Sequence, residues 1–521
     1  MYTDGKILVG KAEDKPIFLE PSMANRHGLI AGATGTGKTT TLKVLAESFS
    51  AAGVPVFFAD VKGDLAGIAL EGTTNKNVDE RVESMGLKEL GFKYDAFPAN
   101  LWDIYGESGM PLRTTVSEMG PLLLAQILDL NDTQRDVLTV IFKIADDEGI
   151  LLIDIKDLKA MVRYVAEKRE EYAYDYGNMA SQSLAAITRS LVSLEADGGE
   201  LFIGEPAVDI RDFMTKDENG RGTVQVLDCR KLILHPKMYA TFMMWLLSEI
   251  FESLPEKGDL EKPELVFFFD EAHLLFDTAP KALLEKIEQV VKLIRSKGIG
   301  IYFITQSPSD IPDGVLAQLG NKIQHALHAY TPAEQKKLKA AAMSFRANPE
   351  FDTMTVLQEL GVGKAIVSVL DKEGVPTVAE KTKILPPQSL MGTMDDETRA
   401  VFVTSGEFYD KYKDGIDRDS AYEFFARHRA EVMEAETKAA EEAAAAKEKE
   451  KTAKEQEKKK AASNKKANTA AKQVAKTGAG TIGREVGKTV GSALGGSFGK
   501  RLGGNLGAAL GRGIIGTFFS K

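Results

Sequence analysis

The segment from Gly32 to Thr39 has the residue types and the spacing that bind the phosphates of a nucleotide. It fits the pattern G-x-x-x-x-G-K-[ST] without a mismatch, and glycines in such a loop let backbone N–H groups turn inward around a β-phosphate. Lys38 would reach the β- and γ-phosphates, and the Thr39 hydroxyl would coordinate Mg²⁺. The predicted nucleotide-binding residues are Gly32, Ala33, Thr34, Gly35, Thr36, Gly37, Lys38, Thr39 and Thr40.

Two adjacent carboxylates, Asp270 and Glu271, follow the apolar run Leu265–Phe269. In proteins with a phosphate loop, the first carboxylate after such a strand holds Mg²⁺ directly or through water. The second can orient and deprotonate the attacking water. We therefore predict Asp270 and Thr39 as Mg²⁺ ligands, and Glu271 and Lys38 as catalytic residues.

Two further positions could act on the γ-phosphate. Gln306, beyond the predicted strand Ile299–Ile304, could sense the phosphate or hold the water, and Thr305 is the second choice. The alternative is an ordinary turn at the end of a strand. Arg295 lies on a predicted helix before that strand, and it could reach the nucleotide of a neighbouring subunit as an arginine finger. A surface arginine without this role is an equal alternative.

The segment Asp60–Asp64 follows the strand predicted at Val54–Ala59. Asp60 could assist Mg²⁺ or position water, and Lys62 could contact phosphate or Asp64. Equally, Asp60 or Asp64 could cap a following helix while Lys62 is solvated. The residues alone leave both interpretations open.

The composition limits the classes of protein. A chain of 521 residues with 43% apolar residues should form two or more folding units, and its formal net charge of −10 does not attract nucleic acid as a whole. The single cysteine, Cys229, excludes an intrachain disulfide or a cysteine metal cluster, and we expect His27 and His273 to be structural. No signal peptide and no long uncharged apolar run is apparent, so we expect a cytoplasmic protein.

Short apolar runs alternate with helical patterns, which favours an α/β fold with a mostly parallel, buried sheet. Carboxylates follow three of these runs and should meet at the carboxyl edge of the sheet, where ligands bind. We expect the strand Thr223–Leu227 to be an additional strand between the two nucleotide motifs. Together with Glu271, it resembles the additional-strand ATPases related to RecA. The predicted strands are Val54–Ala59, Thr223–Leu227, Leu265–Phe269, Ile299–Ile304, His325–Ala329 and Ala365–Val369.

The strand signal lapses between about 110 and 205, where we predict an all-helical insertion. Its helices are expected at Leu122–Leu130, Thr133–Ala145, Ile155–Tyr172 and Ser181–Glu195. The resulting domains are a RecA-like core (1–109 and 206–390), the insertion (110–205), a helical extension (391–433), an Ala/Glu/Lys-rich linker (434–476) and a glycine-repeat tail (477–521). The linker should be a solvated helix or disordered chain, because it lacks the large apolar residues of a coiled coil. Its lysines could touch phosphate.

Within the tail, glycine recurs at every fourth position from Gly483 to Gly511, and apolar residues recur with the same period from Val486 to Ile514. Each glycine costs about 1 kcal/mol relative to alanine in a helix interior, so an isolated helix should be unstable. Three interpretations remain: self-association through a glycine zipper, docking to a membrane surface, or a flexible tail.

Three segments, Asn25–Thr39, Asp60–Gly67 and Ile304–Pro312, resemble the HerA-like ATPases, and in particular the bacterial helicase HerA-like branch of the HerA–FtsK superfamily. The similarity covers residues 5–390, and the tail is also similar to tails in that branch. It implies a RecA-like core, Mg-ATP hydrolysis and a homo-oligomeric, hexameric ring that acts on DNA. The resemblance implies that the matching residues have the roles described above; these residues are Lys38, Thr39, Asp270, Glu271, Gln306 and Arg295.

The chain departs from true HerA proteins before the phosphate loop. Those proteins carry an N-terminal β-barrel there, whereas only about 30 residues precede the loop here, so docking of a partner through a barrel is not expected. A GTPase is disfavoured because Asn75-Lys76-Asn77-Val78 lacks the aspartate of Asn-Lys-x-Asp, and an ABC ATPase because Leu-Ser-Gly-Gly-Gln is absent. The leading hypothesis is a Mg-ATP-driven DNA translocase or helicase. The alternatives are an ATPase acting on a protein or membrane partner without DNA, and a nucleotide-gated scaffold.

Overall fold

The computed structural model describes residues 1–258, 260–277 and 281–464. The glycine-repeat tail and the end of the Ala/Glu/Lys-rich linker lie outside these residues. The described chain divides into two compact units, the first formed by Met1–Leu158 with Ala185–Arg418, and the second by Lys159–Leu184 with residues 419–464.

One sheet of thirteen strands organises the first unit. Its strands are β1 (Tyr2–Thr3), β2 (Lys6–Ala12), β3 (Lys15–Leu19), β4 (Gly28–Ala31), β5 (Val56–Asp60), β6 (Ala99–Asp103), β7 (Met110–Pro111), β8 (Val224–Asp228), β9 (Leu265–Phe269), β10 (Ile299–Thr305), β11 (Asn321–His325), β12 (Lys364–Ser368) and β13 (Glu380–Ile384).

The α-helices alternate with these strands in the core and cluster between β7 and β8. They are α1 (Lys38–Ala51), α2 (Lys76–Ser84), α3 (Val116–Ile127), α4 (Asp132–Glu148), α5 (Ile155–Glu167), α6 (Arg169–Tyr176), α7 (Ser181–Ala196), α8 (Gly199–Phe202), α9 (Pro236–Ser253), α10 (His273–Asp277), α11 (Lys281–Leu293), α12 (Asp313–Leu316), α13 (Pro332–Met343), α14 (Thr353–Glu359), α15 (Asp396–Thr404), α16 (Tyr409–Tyr412) and α17 (Ala421–Asn464). Short 3₁₀ helices lie at Pro21–Arg26, Ala66–Ala69, Ile210–Met214, Leu232–Leu234, Ile294–Lys297 and Pro308–Asp310.

The strand order is β1-β2-β13-β12-β11-β4-β10-β9-β5-β8-β6-β7, with β3 paired to β2. The strands from β11 to β7 in this order run parallel, and the remaining strands add antiparallel pairs on the β11 side. The predicted α/β class with a mostly parallel sheet is therefore confirmed.

The additional strand between the two nucleotide motifs is β10, which hydrogen-bonds in parallel with both β4 and β9. We expected it at Thr223–Leu227, and that assignment was wrong: this segment forms β8, which lies beyond β5 and away from β4. The error arises because sheet order differs from chain order. The chain leaves β9 through α11 and returns to place β10 between two strands that precede it.

The strand predicted at His325–Ala329 was also misplaced, because β11 ends at His325. Ala326 and Leu327 are buried in a cluster with α13 and α14 and not within the sheet. The hydropathy pattern did not predict the start of this strand because its first residue, Asn321, is polar. In the structure Asn321 is buried, and its Nδ2 donates to the carbonyl of His27 at 3.0 Å.

Aromatic side chains on both faces fix the central strands. Phe268 of β9 packs with Phe49 of α1 on one face, at 6.2 Å between ring centroids. Phe267 and Phe269 point to the opposite face, where their rings stack at 5.9 Å. Because successive side chains of a strand point to opposite faces, β9 is held from both sides, and the carboxylates that follow it are held with it.

The helical region between β7 and β8 contains α3 to α8. The helix predicted at Ile155–Tyr172 is interrupted at Lys168, which separates α5 from α6. Within the second unit, Tyr164 stacks on Phe425 near the start of α17, at 4.3 Å between centroids. None of the helices in the described ranges is both long enough and apolar enough to cross a membrane.

Candidate functional site

The phosphate loop connects β4 to α1 at the carboxyl edge of the sheet. Its first residues are anchored at the ends of two neighbouring strands: the Gly32 amide donates to Thr305 O of β10 at 3.2 Å, and the Ala33 amide donates at 2.8 Å to O of Ala326, the residue after β11. The Lys38 ammonium lies inside the loop and donates to Gly32 O at 2.6 Å and to Ala33 O at 3.1 Å. The loop is thus folded around its own lysine, next to the positive end of α1.

His325 supports the loop from the side of β11. At Gly32, where φ is +152°, a Cβ atom would lie 2.5 Å from the Cβ of His325, so only glycine fits. The His325 Nε2 lies 2.8 Å from the Thr41 hydroxyl in the first turns of α1. Burial, together with the smaller effect of the charge of Lys38, lowers the pKa of His325 to about 4. Sequence reasoning missed this residue because it placed the start of a strand there.

The carboxylate pair lies two strands from the phosphate loop. The register aligns Phe269 with Phe303 and Thr305 with Ala31, so Asp270 is level with the end of β4, across two strand spacings or roughly 10 Å. Asp270 is 3% exposed. Burial raises the pKa of its carboxyl group to about 6, against the opposing charge of Lys62. This gap is the space that phosphates and a cation would span.

Glu271 has a left-handed backbone, with φ of +48°. Few residues other than glycine adopt this conformation, and it is found disproportionately at functional sites. Burial alone would raise the pKa of Glu271, but the hydrogen bond and the charge of Lys62 lower it below its ordinary value. Its Oε2 lies 3.5 Å from Nδ1 of His273. Glu271 is therefore ionised at neutral pH and held by its surroundings.

Lys62 contacts the carboxylate pair directly. Its Nζ donates to Glu271 Oε1 at 2.8 Å and lies 3.6 Å from Asp270 Oδ2. The sequence suggested phosphate or Asp64 as the partner of Lys62, and it did not suggest these two carboxylates. Asp60 caps the turn after β5, because its carboxylate accepts from the Gly63 amide at 2.7 Å and from a second amide two residues later.

A polar cleft of about 400 Å³ borders the first half of the phosphate loop. Gln306 is exposed and lines this cleft together with Ala33, Thr34 and His273. Thr305, by contrast, is buried, and its hydroxyl donates to Asp310 Oδ2 at 2.8 Å. Of the two predicted positions at the end of β10, Gln306 is the one whose side chain faces the cleft beside the loop.

Arg295 lies at the other edge of the sheet, in the 3₁₀ helix before β10. Since β10 has seven residues, about 20 Å separates Arg295 from the carboxyl edge of its own chain. His27 lies at the same edge as Arg295, where its Nδ1 accepts from the Ile301 amide at 3.0 Å and its Nε2 lies 2.9 Å from Val291 O. Burial lowers the pKa of His27 to about 4, and the charge of Arg295 acts in the same direction.

The donor atoms fit a Mg²⁺ ion that is shared with nucleotide phosphates. The described residues contain no group of three or more His, Cys, Asp or Glu side chains that could hold a metal ion by themselves. Thr39 follows Lys38 in the loop, and Asp270 offers a buried carboxylate. Mg²⁺ is commonly held by one or two carboxylates, substrate phosphates and water, which suits this set.

The family model of the helicase HerA-like C-terminal family matches residues 6–508. Two curated relatives are each 21% identical over 379 residues, or 70% of this chain: a protein of Methanocaldococcus jannaschii named "Probable helicase", and the DNA double-strand break repair helicase HerA of Sulfurisphaera tokodaii. The chain spans 65% and 67% of the lengths of these relatives.

Two solved structures show a weaker similarity. The bacterial conjugative coupling protein TrwB is 14% identical with a TM-score of 0.49, over 74% of this chain and 92% of that protein. VirB4 of Thermoanaerobacter pseudethanolicus is 16% identical with a TM-score of 0.49, over 74% of this chain and 99% of that protein. Because this family model matches residues 6–508, which include both nucleotide motifs at the carboxyl edge of the sheet, the chain belongs to the helicase HerA-like C-terminal family.

Proposed function

We propose that this chain hydrolyses ATP with Mg²⁺ and uses the energy to move along DNA as a homo-oligomeric ring. The proposal of hydrolysis rests on one observation: Lys38, Asp270 and Glu271 all lie at the carboxyl edge of the sheet. The negative charges of both carboxylates act on the Lys38 ammonium and oppose the lowering of its pKa by burial. A binding-only protein would not need an ionised carboxylate beside the metal-binding one.

The proposed roles follow from position. Lys38 leaves the carbonyls of the loop and binds the β- and γ-phosphates. Thr39 and Asp270 hold Mg²⁺, which when bound supplies positive charge to the phosphate oxygens. Glu271, which is ionised at neutral pH, accepts a proton from the attacking water. Gln306 faces the cleft beside the loop and orients that water or senses the γ-phosphate.

Ring assembly is supported by the position of Arg295. An arginine about 20 Å from the nucleotide of its own chain cannot stabilise that phosphate. The same arginine at a subunit boundary can serve the nucleotide of the next subunit, which is how an arginine finger acts in trans. We therefore propose a closed ring, with six subunits as in the hexameric ATPases that the family resemblance implies.

DNA as the substrate is supported by the helicase names of both curated relatives and by a basic helix near the nucleotide. The helix α13 exposes Lys336, Lys337 and Lys339, and Lys337 lines the same cleft as Gln306. Lysines bind the DNA backbone without reading its sequence, which suits a translocase. A local basic surface can act on DNA even though the formal net charge is −10.

That acidic net charge favours a second candidate, an ATPase that acts on a protein or a membrane partner without DNA. ATP turnover with and without single- and double-stranded DNA separates the two, with Lys38→Ala and Glu271→Gln as controls. Stimulation by DNA that both variants abolish supports the translocase. If both variants lose ATP turnover, but the turnover of the wild type does not change when DNA is added, the second candidate is supported. Turnover no greater than in the variants would refute hydrolysis and leave a nucleotide-gated scaffold.

The DNA-binding surface can be tested separately. We expect Lys336→Glu with Lys339→Glu to weaken DNA binding and the stimulation by DNA, while basal turnover is unchanged. The matched control is Lys447→Glu with Lys449→Glu on the exposed part of α17, which also tests whether the Ala/Glu/Lys-rich segment touches phosphate. An equal loss of DNA binding in both double variants would indicate non-specific electrostatic attraction. A loss of DNA binding in the control variant alone would exclude α13 as the DNA-binding surface.

A further inference from the structure

Lys62 lies among three carboxylates at the edge of the proposed nucleotide site. Its ammonium contacts Glu271 at 2.8 Å and Asp270 at 3.6 Å, and Asp64 also contributes negative charge to its surroundings. The two contacted carboxylates are the proposed catalytic base and the proposed Mg²⁺ ligand. The Lys62 ammonium therefore places its positive charge beside the carboxylates that a divalent cation would also bind.

The backbone beneath Lys62 is fixed, whereas its side chain is partly exposed to solvent. The turn is held by hydrogen bonds from two amides to Asp60, and Gly63 takes a φ of +82° against the side chain of Arg230. The Lys62 side chain, however, is 44% exposed. A long side chain with four rotatable bonds can leave the carboxylates without disturbing the turn that carries it.

The Lys62 ammonium and a Mg²⁺ ion at Asp270 would repel each other, because both are cations beside the same carboxylate. The phosphates have their own lysine in Lys38, which already lies within the phosphate loop. Lys62 thus has a different site of action from Lys38, namely the carboxylates.

We propose that Lys62 is a positioning residue that holds the Asp270–Glu271 pair in place until Mg-nucleotide binds and displaces it. This inference rests on the proposed function of the same site. The ammonium balances two carboxylates that would otherwise repel each other, and it fixes the direction of the Glu271 carboxylate. Binding of Mg²⁺ at Asp270 competes with these contacts, because both cations are attracted to the same pair of carboxylates, so Lys62 raises the Mg²⁺ concentration that nucleotide binding requires.

The test measures binding and not turnover. A fluorescent, non-hydrolysable ATP analogue is titrated with Mg²⁺ at pH 8, where the carboxylates are ionised, and its affinity is also measured in EDTA. For Lys62→Gln we expect the Mg²⁺ midpoint to fall about fivefold, equivalent to about 1 kcal/mol for a half-exposed ion pair, with no change in EDTA. Lys62→Arg keeps the charge and should shift the midpoint less.

The matched control is Lys231→Gln, since Lys231 is 52% exposed and pairs with Glu107 at 2.7 Å near the same edge. It should leave the Mg²⁺ midpoint unchanged. A weaker affinity of Lys62→Gln in EDTA would overturn the inference, because Lys62 would then be a phosphate ligand. An unchanged midpoint with intact nucleotide binding would overturn this inference alone, whereas a wild-type chain that binds no nucleotide would overturn the proposed function as well.

Discussion

The imidazole of His325 lies 2.8 Å from the hydroxyl of Thr41, and this contact joins the last residue of β11 to the first turns of the phosphate-loop helix. The Cβ atom of the same residue lies against Gly32. A strand that contributes no predicted catalytic residue thus determines the shape of the loop that would hold the phosphates.

Truncation of His325 should loosen that loop. We expect His325→Ala to lower the free energy of unfolding by about 2–3 kcal/mol, because it leaves a cavity and removes a buried hydrogen bond. Nucleotide affinity should fall with it. Thr41→Val is the comparison, since it removes only the hydroxyl and should cost about 1 kcal/mol. Urea unfolding and titration with a fluorescent nucleotide measure the two effects, and equal affinities in wild type and His325→Ala would contradict this role.

Acidification should destabilise the fold through its two buried histidines. Both have pKa values of about 4 in the folded chain, below the ordinary value of 6.5. As the pH falls, each histidine is protonated in the unfolded chain before it is protonated in the folded chain. The contribution of the neutral histidines to the free energy of unfolding is therefore fully present above pH 6.5 and is lost as the pH falls towards 4. Between pH 7 and pH 5 each should cost up to about 2 kcal/mol.

Unfolding curves at several pH values provide the measurement for this prediction. A non-titrating replacement, His27→Gln, should be less stable at pH 7 because it disturbs the contacts with Ile301 and Val291. It should nevertheless lose less stability between pH 7 and pH 5 than the wild type does. An unchanged slope would show that His27 is not a source of the acid sensitivity.

Gln306 and Thr305 are neighbours in sequence with opposite environments, so their variants should differ. We expect Gln306→Ala to reduce ATP turnover about tenfold or more with little change in stability, because the side chain is exposed in the cleft. Thr305→Val should instead cost about 1 kcal/mol of stability through its lost bond to Asp310. Steady-state turnover and thermal unfolding of both variants decide the matter; loss of turnover in Thr305→Val alone would reverse the assignment.

Arg295 can be tested by mixing subunits. Arg295→Ala and Glu271→Gln should each have ATP turnover at least about 10²-fold below wild type. If Arg295 acts in trans, a subunit with Arg295→Ala and an intact Glu271 recovers activity next to a subunit that supplies the arginine. The mixture should therefore hydrolyse ATP faster than either variant alone, at equal total protein. Additive rates would exclude the trans role, and thermal unfolding checks that each variant is folded.

The sequence predicted the elements that carry local signals. The phosphate loop, the carboxylates after Leu265–Phe269 and the strand beginning at Ile299 all lie where their patterns placed them. Relationships between distant segments were not predictable in the same way. Lys62 contacts Glu271 only because β5 and β9 are neighbours in the sheet. Similarly, β10 and not β8 separates the nucleotide motifs, because the order of the strands in the sheet differs from their order in the chain.

The strand β10 runs from one edge of the sheet to the other, with Arg295 just before it and Gln306 just after it. It is hydrogen-bonded along both sides, to β4 and to β9, so it cannot bend or shorten without breaking those ladders. The distance of about 20 Å between Arg295 and Gln306 is therefore set by this one strand, and the two residues that could act on a nucleotide lie at opposite ends of it.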